Sequence, residues 1–186
     1  MRDLLKAARA AAKMQHPNAS KDLLAQFQKI VLPRGAVVAG YAAMGDEISP
    51  APILEFLAAQ KFSLCLPLVT SDNTPLEFHV WHPSHPTAKG KFNIHEPVLR
   101  ELVVPDVLLV PLLGFDRRGN RIGYGKGFYD RTLAALRTQH KIIAIGLAYA
   151  EQEMPEIMAT AHDQPLNIIV TPAETIYCVA QPPEKI

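Results

Sequence analysis

Hydrophobic positions along this chain follow two rhythms. Short unbroken apolar runs at residues 36–41, 62–66, 106–111, 141–147 and 167–170 suit strands buried on both faces. Between them, apolar residues recur at helical spacing. Leu23, Leu24, Phe27 and Ile30 share one face of a helix predicted over 20–31, with Ser20 as its N-cap. Ile53, Leu54 and Leu57 do the same for a helix over 51–60, and residues 127–137 predict another. A first helix over 3–14 is separated from the second by the breaker His16-Pro17-Asn18. Residues 76–81 alternate apolar and polar, as a half-exposed strand does, and residues 174–179 suit an edge strand. Residues 82–105, rich in proline and histidine, predict an irregular excursion.

Buried strands alternating with helices predict an α/β fold: a single-domain, three-layer α/β/α arrangement with a mostly parallel, Rossmann-like sheet. Ligands of such sheets bind beyond the carboxyl ends of the strands. The loops expected there are residues 44–47, residues 116–128 and the turn around His162-Asp163. They carry most of the chemically interesting side chains.

The middle loop is the most informative. Gly123, Gly125 and Gly127 stand at every second position, Lys126 lies between two of them, and a helix follows. Glycine lets backbone approach a ligand, and N–H groups at a helix start beside a cation make an anion site. The spacing is neither the P-loop nor the Rossmann fingerprint. On the residues alone, a phosphate cradle and a plain structural turn are equally good readings, and Arg121, Lys126 and Arg131 favour the cradle.

Composition narrows the classes. The 186 residues fit one domain that can bury a core without disulfides. Cys65 and Cys178 sit in apolar runs without metal-ligand spacing, so both read as buried small side chains in a reducing compartment. A formal net charge of +1 gives no global basic field, which argues against nucleic acid as a partner. No apolar stretch reaches the roughly eighteen residues a bilayer span needs. The N-terminus has no signal-peptide core. Residues 2–13 are basic and alanine-rich, but an early Asp3 and the absence of serine favour a surface helix over a transit peptide. The expectation is a cytoplasmic monomer without membrane association.

The segment LLGFDRRGNRIGYGKGFYDR, residues 112–131, closely resembles the signature of the 5-formyltetrahydrofolate cyclo-ligase family, the methenyltetrahydrofolate synthetases. Three further segments fit in the family's order: GYAAMGDEI at 40–48, KFNIHEP at 91–97, and HDQPLN at 162–167 with VTP at 170–172. The resemblance spans nearly the whole chain. It implies a ligase that converts ATP and 5-formyltetrahydrofolate to ADP, phosphate and 5,10-methenyltetrahydrofolate, with magnesium. The implied route passes through a phosphorylated formyl group, an iminium phosphate, which folate N10 then attacks.

The resemblance also implies residue roles. ATP would be bound by Arg121, Ile122, Gly123, Tyr124, Gly125, Lys126, Gly127, Phe128 and Tyr129, with Lys126 and Arg121 as the catalytic cations. Arg2 and Lys6, one helical turn apart, match a Lys/Arg pair that the family uses on ATP. Ala42, Met44 and Glu47 would line the folate pocket, Glu47 accepting pterin N–H groups, and residues 124–128 would face both ligands. Asp130 and Asp163 match the magnesium positions.

Each assignment has a rival. Lys126 is otherwise a solvated lysine on a structural loop, and Arg2 and Lys6 a solvated helix face. Asp130 is a salt-bridge partner or a first-turn helix carboxylate. Asp163 is a cap, and Asp116, a third metal candidate, reads better as a turn residue. Tyr129 and Phe128 either stack on a ring or pack the core, and Trp81 either covers the folate site or fills the core. Many family members carry an aromatic and a proline where this chain reads Ala42-Ala43, which implies a wider folate pocket. Two other function classes compete: a non-catalytic folate or nucleotide binder, and a sugar-phosphate or acyl-CoA enzyme needing neither ATP nor magnesium.

Overall fold

The computed structural model describes residues 1–91 and 94–178. Four helices, α1 (Arg2–Gln15), α2 (Ala19–Phe27), α3 (Ala51–Ala59) and α4 (Phe128–Arg137), surround a seven-stranded sheet. Its strands are β1 (Val37–Ala39), β2 (Ser63–Leu68), β3 (Glu77–Val80), β6 (Val107–Pro111), β9 (Ile143–Leu147), β10 (Ile168–Val170) and β11 (Thr175–Tyr177). The order is β11-β10-β9-β6-β1-β2-β3. The five inner strands pair in parallel, and β3 and β11 close the two edges in antiparallel pairing. The sheet is mostly parallel, as the sequence predicts.

Strand alternation divides the core. Val107, Leu109, Ile145, Leu147, Ile168 and Val170 face α2 and α3. Leu108, Val110, Ala144 and Ile169 face Leu133 and Leu136 of α4. Both faces are covered, so each inner strand reads as an unbroken apolar run. Cys65 is buried in this core, and burial pushes its thiol up to about 12. Cys178 is only partly buried.

Three expectations need correction. Helix α2 stops at Phe27, because the next turn tightens into Lys29 and Ile30 N–H bonds to Gln26 and Phe27 carbonyls. Ser20 lies inside α2, and Asn18 holds the N-cap position. The stretch 82–105 contains an ordered hairpin, β4 (Thr87–Lys89) with β5 (His95–Pro97), in the register Thr87↔Pro97 to Lys89↔His95. A second hairpin, β7 (Gly114–Phe115) with β8 (Arg121–Ile122), precedes α4. Among the described residues, no helix is long and apolar enough to cross a membrane.

Candidate functional site

Because β1, β6 and β9 run in parallel, the segments leaving their carboxyl ends gather on one rim of the sheet. There they enclose a cavity of about 670 Å³. Residues 121–130 all line it, with Arg2, Ala42, Met44, Glu47 and Asp163. Of the site residues expected from sequence, Lys6 alone is not on this wall, and its ammonium pairs with Asp3 at 3.0 Å.

The glycine loop is held from below by Asp116. That carboxylate is 1% exposed and accepts the N–H groups of Arg118, Asn120 and Ile157 at 3.0 Å each, and Asn120 Nδ2 at 2.9 Å. Burial opposes its charge, but the donors outweigh burial and hold its pKa below the usual carboxylate range. Asp116 is thus a turn residue that sets where β8 begins.

Beyond β8 the backbone needs glycine at two places. Gly125 has φ +93°, and a Cβ there would stand 3.2 Å from the Arg2 guanidinium carbon. Gly127 has φ +65°, serves as the N-cap of α4, and would bring a Cβ to 2.8 Å from Arg131 Nη1. Side chains crowd this loop because they brace it. Arg2 Nε donates to the Gly123 carbonyl at 3.0 Å. Arg131 donates to the Lys126 carbonyl at 2.8 Å and the Asp72 carbonyl at 3.0 Å, with its guanidinium over Phe128. Lys126 Nζ lies 3.6 Å from Asp72 Oδ2.

The two candidate metal carboxylates are also engaged. Asp130 Oδ1 accepts Arg121 Nη2 at 2.6 Å and the Gln164 N–H at 3.1 Å, and Arg121 donates its other amino group to the Gln164 carbonyl. Asp130 therefore ties the glycine loop to the turn that carries Asp163. Asp163 Oδ2 caps that turn, accepting Thr160 N–H at 2.7 Å and its hydroxyl at 3.0 Å. All these bonds fall on one oxygen of each carboxylate, so among the described residues no donor bonds Asp130 Oδ2 or Asp163 Oδ1. Among the described residues, no three His, Cys, Asp or Glu side chains group to hold a metal. A hard cation at this wall would need further oxygens from a ligand, as an octahedral ion on a phosphate does.

The opposite wall is built around Glu47. Its side chain is buried; Oε2 accepts the Met44 N–H at 2.8 Å, and Oε1 lies 3.9 Å from Arg9 Nη1. Burial raises the Glu47 pKa, while the Met44 N–H, Arg9 and the Tyr124 hydroxyl act in the other direction. Arg9 was not among the residues expected from sequence. It reads as one more cation in an alanine-rich surface helix, yet it is 4% exposed. The available signal is its distance of seven residues from Arg2, two helical turns on the same face.

Tyr129 is a cavity-wall residue that also packs against the core. Trp81 packs against the α2–α3 side of the core and lines a separate cavity of about 300 Å³ with Ala42 and Ala43. Ile94 of the KFNIHEP segment lines the main cavity, while Phe92 and Asn93 lie outside the described residues.

Comparison with known proteins shows the family of the chain. The profile of the 5-formyltetrahydrofolate cyclo-ligase family matches residues 1–172. The 5-formyltetrahydrofolate cyclo-ligase of Haemophilus influenzae is 35% identical over 135 residues, 69% of this chain and 72% of the relative. Its namesake from Escherichia coli K12 is 33% identical over 144 residues, 74% and 78% of the two chains. The NMR structure of Aquifex aeolicus 5,10-methenyltetrahydrofolate synthetase superposes with a TM-score of 0.75 at 26% identity, covering 99% of this chain and 95% of that one. The chain is therefore an enzyme that belongs to the 5-formyltetrahydrofolate cyclo-ligase family.

Proposed function

We propose that this cyclo-ligase couples closure of 5-formyltetrahydrofolate to conversion of ATP into ADP and phosphate, with magnesium. The observation that carries the reading is the meeting, on one cavity, of an ordered glycine loop and a buried carboxylate on the loop after β1. The first suits a triphosphate. The second suits the N–H edge of a pterin, because Glu47 is a buried acceptor on the cavity wall.

The chemistry begins from a poor electrophile. The N5 formyl group is an amide, and its oxygen cannot leave. Attack of that oxygen on the γ-phosphorus forms an O–P bond and breaks the bond to the β-phosphate oxygen, which departs with ADP. The resulting iminium phosphate carries an activated carbon. N10 attacks it, the C–O bond breaks, phosphate leaves and the N10 proton is lost. The protein's task is to align the two ligands, exclude water and offset phosphate charge.

Lys126 and Arg121 are assigned to the phosphates, with the first-turn N–H groups of α4. Arg2, lying on Gly125, is assigned to the outer side of the same loop. Met44 and Ala42 border the pterin beside Glu47. Asp130 and Asp163 would hold a magnesium ion, and that ion would neutralise charge on the phosphates.

The test combines purified protein, MgATP and 5-formyltetrahydrofolate and follows methenyl absorbance and ADP together. Equal appearance of both, abolished by chelation of magnesium, supports the full reading. Ligand binding in calorimetry without either product would favour a non-catalytic binder. Methenyl product without ADP would remove ATP from the mechanism.

A further inference from the structure

Arg9 has no role in the reaction as set out above. Its guanidinium donates to the Leu112 carbonyl at 3.3 Å and to the Tyr124 hydroxyl, lies over the Tyr124 ring at 5.4 Å, and approaches Glu47 Oε1 to 3.9 Å. Leu112 follows β6, Tyr124 belongs to the glycine loop, and Glu47 lies on the loop after β1. One side chain thus joins three segments that the sheet delivers separately. The rest of the α1 face extends the pattern: Arg2 donates to the Gly123 carbonyl at 3.0 Å and Lys13 to the Gly45 carbonyl at 2.6 Å. Separations of seven and four residues keep Arg2, Arg9 and Lys13 on one side of the helix.

Burying a guanidinium is costly, and Arg9 Nε is buried with no hydrogen-bond partner among the described residues. Buried ion pairs seldom add net stability over a well-packed apolar side chain. A helix that only needed to dock would be served better by leucine or methionine here. We infer that Arg9 is a positioning residue, whose guanidinium orients the Glu47 carboxylate and the Tyr124 ring as one unit so that the pterin wall and the glycine loop keep a fixed spacing. The inference rests on the assignment of Glu47 to the pterin proposed above.

The electrostatics around Glu47 give this role a distinctive signature. The groups facing it are Arg9 from α1, Tyr41 beyond β1, Tyr124 from the glycine loop and Tyr129 from α4. Burial raises all three phenols above their ordinary range, so they stay neutral near pH 7. Asp46, on the same loop as Glu47, pairs with Lys13 of α1 at 3.9 Å. Arg9 is therefore the cation that opposes the effect of burial on Glu47. Once protonated, Glu47 loses acceptor capacity, so KM for the folate rises as pH falls through its pKa. Without the Arg9 charge that rise begins at higher pH.

The experiment measures KM for 5-formyltetrahydrofolate against pH, at saturating MgATP, in wild type, Arg9→Gln and Arg9→Lys, with a melting curve for each. In Arg9→Gln the acid limb is expected to move up by about 1 pH unit. KM at pH 7 should rise about tenfold, roughly the loss of one charge-assisted contact, with kcat within about threefold. Arg9→Lys keeps the charge and should restore most of the limb's position. A limb that stays in place in both variants, in an active enzyme, overturns the inference alone. Loss of a cooperative melt in both would make Arg9 a structural core residue and overturn it as well. A wild type that turns over no folate would instead sink the functional reading, and the inference with it.

Discussion

At the scale of single residues, the site is a set of charges that are already partnered. Lys126 stands 3.6 Å from Asp72, and Asp130 is held by Arg121 at 2.6 Å. A phosphate arriving at Lys126 competes with an exposed carboxylate, which holds its partner weakly in water. The lysine can therefore exchange one anion for another. Lys126→Ala should lower turnover at least tenfold, about the worth of one charge-assisted contact, and single-turnover kinetics would show whether the loss falls on chemistry. Unchanged turnover would return Lys126 to the role of a solvated loop residue. Asp163 is less constrained, since its capping bonds use Oδ2 only. Asp163→Asn keeps an oxygen for the cap but removes the charge. It should raise the magnesium concentration for half-maximal rate several-fold with little loss of stability, and an unaltered magnesium curve would exclude Asp163 as a ligand.

At the scale of elements, what could be read in the sequence depended on how each element is stabilised. The inner strands are buried on both faces, so β1, β6, β9 and β10 announce themselves as apolar runs. The hairpins β4–β5 and β7–β8 are two or three residues per strand, too short for alternation to appear. The β7–β8 turn shows how such an element is fixed instead: Asp116 collects donors from Arg118, Asn120 and the remote Ile157. Its pKa is depressed on folding, so its contribution is present above the unfolded value near 4 and is lost as pH falls through the folded value. Asp116→Asn should therefore melt roughly 3–10 °C below wild type at pH 6. The gap should narrow as both are taken towards pH 3. A gap independent of pH would mean that the donors are satisfied by shape rather than by the charge.

At the scale of the whole molecule, the site belongs to no single stretch of chain. Arg2, Glu47, residues 121–130 and Asp163 come from four segments and meet on one cavity because parallel strands send their carboxyl-end loops to one rim. The loops with distinctive residues were legible in advance. Arg9 was not, because a cation in a polar helix gives no sign that the helix will lie across the site. This arrangement makes ligand occupancy a stability term for the entire fold, since ligands bridging the four segments bind only when all are in place. At one hundred times its dissociation constant, a ligand specific to the folded state adds about 2.7 kcal/mol. For a chain of this length that corresponds to a rise in Tm of about 5–10 °C. MgATP and 5-formyltetrahydrofolate should each raise Tm by about this much when added singly. Together, in the presence of a non-hydrolysable ATP analogue, their shifts should at least add, because both contact the glycine loop in the proposed arrangement. A smaller combined shift would show that the ligands compete for that loop rather than share it. The single-cavity reading would then give way to two sites that exclude each other.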